Sequence, residues 1–195
     1  MVKRTLPALL LVLGACAQPV VPTDRFYRLD VAEPETQFAK PRLEGTLEVD
    51  RFVADGLTAG RPIVYSESGR PREVLEYHYH FWTEPPTIML RDQLVTYLRA
   101  AKVADTVVTP EHRVEPDYEL AGKIKRLEQV NGKPPGAVVE LELALKRSAD
   151  GQILILNTYR IEAEAKSGTV GAAVDALNSA LGLIYARFIN DISGL

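Results

Sequence analysis

Polar and apolar residues alternate from Leu43 to Asp50, with Leu43, Gly45, Leu47 and Val49 on one side and Glu44, Thr46, Glu48 and Asp50 on the other. A period of two is that of a half-buried strand. The same reading predicts a short strand over "RFYRLD" (25–30), then a loop over "PETQFAKPR" (34–42) punctuated by Pro34 and Pro41. It also predicts a hairpin of "RPIVYSE" (61–67) and "VLEYHYHFW" (74–82) around "SGRPR". The second half reads as a meander. "DYELAGKI" (117–124) points Tyr118, Leu120, Gly122 and Ile124 one way, and the loop "NGKPPG" (131–136) turns the chain. "AVVELELAL" (137–145) then buries Ala137, Val139, Leu141, Leu143 and Leu145, and "QILILNTYRIEAEA" (152–165) returns after the turn "SADG" (148–151).

Two segments change period. After Pro85-Pro86, Leu90, Leu94, Tyr97 or Leu98, and Ala101 recur at spacings of three and four, which predicts a helix over 86–102 with Pro in its first turn. Val170, Val174, Leu177, Leu181, Ile184 and Phe188 repeat in the same way and predict a longer helix over 169–191. Burying that second stripe is worth on the order of 10 kcal/mol before conformational entropy is charged. The expected fold class is α/β (α+β): a two-layer sandwich of an antiparallel or mixed sheet of about 5–7 strands with both helices on one side.

The first sixteen residues belong to neither layer. Lys3 and Arg4 precede the apolar run Leu6–Leu13, which is shorter than the roughly 20 residues a bilayer span needs. That reads as a secretory signal over residues 1–15. "Leu13-Gly14-Ala15-Cys16" resembles a bacterial lipobox, so the Cys16 thiol is expected to carry diacylglycerol through a thioether, its freed amine taking a third acyl chain. Cys16 is the only cysteine, which leaves no disulfide framework. Residues 16–24 are then the lipidated cysteine and a tether, reaching at most about 30 Å at ~3.3 Å per residue, and residues 25–195 a single domain. Two or more acyl chains hold a protein stably on a membrane. Ala17, in place of the aspartate that commonly retains lipoproteins in the inner membrane, points to the outer one.

Charge narrows the partners. The whole chain carries a formal −3, and losing Lys3 and Arg4 with the signal makes the mature part more acidic still. No run of Lys or Arg marks a nucleic-acid footprint. Catalytic patterns are also missing: there is no GxxxxGK[ST] phosphate loop and no GxSxG elbow. Glu140, Glu142, Glu162 and Glu164 alternate along two strands as a solvated face.

The stretch "EYHYHFWTEPP" (76–86) is the one candidate for metal chemistry. His78 and His80 share a strand face, and a catalytic zinc site would take a third ligand from His112 or Glu76. The competing reading puts Tyr77, Tyr79 and Phe81 in the core and Glu76, His78, His80 and Trp82 outward. On that reading the exposed His78, His80 and Trp82 form a partner interface.

In order along the chain, the lipobox, "FYRLD", "RPIVYSE", "YHYHFWTEPPTIMLRDQLVTYLRAA", "DYELAGKIKRLEQV", a valine/leucine strand and a long terminal helix resemble the ABC-type transport auxiliary lipoprotein family, PqiC-like partners of MCE-type intermembrane lipid transporters. The likeness covers about Phe26 to Phe188, and its most specific parts are Arg61-Pro62 and the corner Trp82 to Pro86. Tyr65-Ser66 departs from it, standing where members often carry an arginine. The resemblance implies a lipid-anchored periplasmic accessory protein without enzyme activity or cofactor. Its partners would be an MCE-domain protein, with the permease and ATPase behind it, and the membrane through acylated Cys16. Its cargo would be phospholipid or another hydrophobic compound moving between inner and outer membrane. Two alternatives stay open: a structural lipoprotein that assembles an outer-membrane complex, and a tethered metal-dependent hydrolase using His78 and His80. Self-association through the terminal helix or the sheet edges is a further expectation.

Overall fold

The computed structural model describes residues 22–195. The expected signal segment, Cys16 and most of the expected tether lie outside the described residues.

Among the described residues nine strands and two α-helices share one core. In chain order the elements are β1 (Arg25–Tyr27), β2 (Leu43–Val49), β3 (Val53–Ala54), β4 (Pro62–Glu67), β5 (Arg70–Trp82), α1 (Pro86–Ala101), β6 (Ala104–Val108), β7 (Tyr118–Asn131), β8 (Gly136–Arg147), β9 (Ile153–Glu164) and α2 (Val170–Ser193). All the strands join in one mixed, curled sheet, an α+β arrangement as the sequence implies. The strand number exceeds the expected 5–7, because β3 and β6 are too short to leave a clear alternation, whereas β1 falls within the expected strand over 25–30.

β7 organises the sheet. Along one edge it pairs antiparallel with β8, which pairs antiparallel with β9, so the expected meander is present. Along its other edge three successive strands run parallel to it: β2 at Tyr118–Leu120, β3 at Lys123–Ile124, and β4 at Glu128–Asn131. The sheet therefore forks. One arm continues from β2 to β6, and the other from β4 through β5 to β1.

Both helices begin and end where their termini find partners. Pro86 opens α1, where a first-turn N–H lacks a partner anyway, and Lys102 closes it in the left-handed region at φ 56. The Thr169 side chain accepts from Ala172 N at the start of α2. Every residue of the predicted α2 stripe is buried, from Val170 to Phe188. By length and composition α2 is apolar enough to cross a membrane, but its apolar side packs on β7, β8 and β9. The two helices meet edge-to-face at Tyr97 and Tyr185, with ring centroids 5.5 Å apart.

Two glycines are required by space. Gly45 sits at φ +93, and a Cβ there would lie 2.1 Å from Asp117 Oδ2, which accepts from Thr46 N at 2.7 Å. Gly122 lies under the Phe52 ring, and a Cβ would come within 2.5 Å of it.

Candidate functional site

The sequence motifs that stand far apart in the chain converge on the corner where β1, β5 and β4 meet. Trp82 N donates to Arg61 O at 2.8 Å, and Arg61 Nε donates back to Trp82 O at 3.1 Å. Thr83 N donates to Tyr27 O at 2.8 Å, which ties the Trp-x-Glu-Pro-Pro corner to "FYRLD". On the outer side the Arg61 guanidinium lies 5.5 Å from the Phe26 ring centroid, and Phe26 stacks on Phe81.

Trp82 corrects the expectation that it faces outward. It is 1% exposed and belongs to the core. Tyr79, expected inside, is 41% exposed, and Tyr77 and Phe81 are only half-buried. The cause is an irregularity in the β4–β5 ladder: the step from Pro62 to Val64 on β4 spans Phe81 back to Glu76 on β5. An odd number of extra residues in one strand reverses which side chains face the core. Tyr77 and Trp82 thus both look inward although an even alternation would separate them.

The two histidines differ. His78 is exposed. His80 is half-buried, its Nδ1 shares a 2.8 Å hydrogen bond with the Tyr27 hydroxyl, and its ring stacks on Tyr27 and meets Tyr77 edge-on. Desolvation, and then the Arg25 charge, hold its pKa below the ordinary histidine value, so the ring is neutral at pH 7. Tyr77 in turn lies against Tyr65, ring centroids 4.4 Å apart. Among the described residues no three His, Cys, Asp or Glu side chains gather where a metal ion would bind. His112 follows β6, which β4, β7 and β2 separate from β5, and its Nδ1 lies 3.2 Å from Thr109 Oγ1. The structure does not bring it to the pair.

A polar chain lies behind these rings. Tyr77 Oη donates to Gln129 Oε1 at 3.3 Å. Gln129 Nε2 donates to Asn131 Oδ1 at 2.7 Å and to Gly168 O at 3.1 Å, and Asn131 Nδ2 donates to Glu67 Oε1 at 3.3 Å. Buried Gln129 thereby links β5, β7 and the turn before α2. A glutamine in a strand carries no sequence signal for such a role.

A groove of about 500 Å³ lies elsewhere, between α2 and the irregular segment that follows β1. Ala32, Phe38, Tyr97, Leu183, Ala186 and Ile189 contribute its apolar lining, and Asp30, Glu33 and Glu35 add carboxylates. Three bonds hold the segment down: Asp30 N to Asn178 Oδ1 at 2.9 Å, Val31 N to Gln93 Oε1 at 2.8 Å, and Phe38 N to Ala101 O at 3.0 Å. The sequence reads here only as a proline-punctuated loop.

Glu140, Glu142 and Glu162 of β8 and β9 stand in ion pairs on the far face of the sheet. Arg160 bridges Glu140, at 3.3 Å, and Glu162. Lys125 reaches Glu142 at 3.6 Å. The Arg160 hydrogen bond lowers the Glu162 pKa. This agrees with the expected solvated face rather than with an acid/base pair in a cleft.

Solved structures share this fold. A Xanthomonas campestris protein of the DUF330 family aligns with TM-score 0.73 at 24% identity, covering 87% of this chain and 96% of that one. An uncharacterized protein aligns with TM-score 0.71 at 18% identity, covering 88% and 100%. A PelC dodecamer from Paraburkholderia phytofirmans aligns more loosely, with TM-score 0.52 at 15% identity, over 81% and 95%. No curated protein matches the sequence significantly. The family model of the ABC-type transport auxiliary lipoprotein component matches residues 27–188. That span takes in the Arg61–Trp82 corner, the sheet and most of α2, and the chain belongs to this family of auxiliary lipoproteins.

Proposed function

We propose that this protein is a lipid-anchored periplasmic component of an MCE-type ABC transport system, held at the outer membrane by acylated Cys16. It would serve the passage of phospholipid or another hydrophobic compound between the two membranes. The family match over nearly all of the mature domain carries this reading. The lipobox at Leu13–Cys16 supports the anchor, and Ala17 the choice of membrane. Two or more acyl chains on one residue anchor far more stably than a single chain. With a tether of about 30 Å at most, the domain stays within reach of the leaflet.

The chain has no phosphate-cradling loop, so energy comes from an ATPase elsewhere in the assembly. Its own work is docking and holding. The exposed His78 and the outer ring of Tyr79 remain candidates for the surface that meets an MCE-domain protein, whereas buried Trp82 supports that surface from behind. Second copies of the chain are further partners, in keeping with the dodecameric state of the PelC relative.

Labelling with radioactive palmitate in a Gram-negative-type host tests the anchor. The wild-type chain incorporates label and fractionates with outer membrane, and Cys16→Ala abolishes both. An unlabelled, freely soluble wild-type chain would overturn the reading.

A further inference from the structure

Three turns that lie far apart in the sequence stand together at one end of the sheet. Ser68 N, in the β4–β5 hairpin, donates to Asn131 O at 2.8 Å. Ala165 N, just past β9, donates to Pro135 O at 2.9 Å, and Gly168 O accepts from Gln129 Nε2 at 3.1 Å. The turns read "SGRPR" (68–72), "GKPP" (132–135) and "AKSGT" (165–169), and every charged residue in them is basic. Arg70, Arg72, Lys133 and Lys166 are all exposed. Arg70 pairs with Glu73 at 2.8 Å, whereas Arg72, Lys133 and Lys166 make no ion pair among the described residues. Glu67, Glu73 and Glu164 stand on the strands behind these turns. α2 opens from the same end, and its positive pole adds to the charge. At the opposite end of β7, β8 and β9 the turns carry Glu115, Asp117 and Asp150, and Arg147 beside them is paired with Asp150.

The chain arrives from this basic end. β1 runs parallel to β5 with Arg25 beside His80, so it is entered from the side of the 68–72 turn. His80 lies ten residues along β5 from Arg70, about 33 Å at ~3.3 Å per residue. Residues 16–24 reach about 30 Å at most. Fully extended toward the turns, the tether therefore brings Cys16 level with them and little further. A domain turned the other way would need the same nine residues to double back along the sheet.

We infer that the three turns seat on the leaflet that holds the acyl chains, with Arg72, Lys133 and Lys166 against the phosphates of anionic phospholipid headgroups. The inference rests on the anchor at Cys16 and is independent of which transporter the protein serves. Each basic side chain close to an anionic surface strengthens binding about fivefold, and the gain fades beyond a Debye length of about 8 Å. Three or four such residues are too few to hold a free domain on a membrane but enough to orient one already anchored. The sequence shows no basic run because the cations come from three separate turns. In this orientation β7, β8 and β9 stand up from the membrane, and the end with Glu115, Asp117 and Asp150 projects into the periplasm.

Contact quenching tests this on the full-length acylated chain in vesicles of phosphatidylethanolamine and phosphatidylglycerol. A thiol-reactive fluorophore is attached through Gly69→Cys, where a Cβ meets nothing within 4 Å, or through Ala149→Cys, which is exposed at the opposite end. The Cys16 thiol, held in its thioether, takes no label. A headgroup spin-labelled lipid is expected to quench the fluorophore at 69 and to leave the one at 149 bright. Arg72→Glu, Lys133→Glu and Lys166→Glu combined should release the quenching at 69 while the protein still sediments with the vesicles and keeps its far-UV circular dichroism spectrum. Raised salt should do the same to the wild-type turns. The inference is overturned if 149 is quenched as strongly as 69, if neither is quenched, or if charge reversal leaves the signal at 69 unchanged. A wild-type chain that does not sediment with the vesicles would fail at the anchor, before orientation is read, and would overturn both.

Discussion

The Tyr185 hydroxyl, fully buried on α2, donates a 2.9 Å hydrogen bond to the main-chain carbonyl of Leu90 on α1. The two residues are the point at which the long terminal helix is latched to the helix that follows the Trp82 corner. Burial holds the Tyr185 pKa far above the ordinary tyrosine value, so the hydroxyl remains a donor at any pH the fold survives.

Tyr185→Phe keeps the ring packing and removes only that donor. The Leu90 carbonyl lies within α1 and retains its helical acceptor role, so the expected cost is about 1 kcal/mol. A domain of this size would then melt roughly 2–4 °C lower. Tyr185→Ala empties the site and should cost about 3–5 kcal/mol. Thermal melts of the two variants check both values, and equal costs would contradict the latch.

Trp82 and His78 lie close in sequence with opposite roles. Trp82→Ala opens a cavity in the core and should cost about 3–5 kcal/mol. His78→Ala alters an exposed side chain and should stay within about 0.5 kcal/mol. Urea unfolding of each variant distinguishes this from the outward row that simple alternation predicts, in which both would be mild.

His80 gives the corner a pH dependence. Its folded pKa lies below the ordinary value of 6.5, so the unfolded chain binds the proton more readily. The stability of the neutral, Tyr27-bonded ring is fully present above that ordinary value. It is lost progressively as pH falls through it toward the folded pKa. Urea midpoints at pH 7.5 and 5.5 should therefore fall further for wild type than for His80→Gln. Equal losses would remove His80 as the source.

Gly122 is required because the Phe52 ring occupies the place of its side chain. Gly122→Ala forces the ring aside and should cost about 1–3 kcal/mol. Adding Phe52→Ala should relieve that overpacking, so the double variant should be more stable than the two single costs sum to. Strict additivity would show that the contact is not the cause.

The parts of this fold legible in the sequence are those where one periodicity runs long. Val170 to Phe188 hold a helical spacing for five turns, and Ala137 to Leu145 alternate without interruption, so in both the pattern alone gives the buried face. β6 leaves no such signal, because five residues following directly on α1 carry too few alternations and Asp105 and Thr106 break the apolar run. Periodicity places Trp82 on the wrong face because it assumes an unbroken ladder, and the offset between β4 and β5 is a tertiary event with no local residue signature. The groove beside α2 escaped for a related reason. It forms where an irregular segment is pinned across two helices by bonds to Asn178, Gln93 and Ala101, which lie 62 or more residues away for the two side-chain partners. The family motifs are legible as an order along the chain, and the structure explains that order: Arg61 and Trp82 bond to each other's main chain, and Thr83 N donates to Tyr27 O.

The central claim is that this lipoprotein works within an MCE-type transport system, and affinity capture tests it most directly. The full-length acylated chain, tagged at its C-terminus and extracted from crosslinked envelopes in mild detergent, is predicted to bring down an MCE-domain protein. That capture should be lost when the protein is released from the membrane by Cys16→Ala. Capture of an outer-membrane assembly complex with no MCE-domain protein, from envelopes that contain one, would contradict the account.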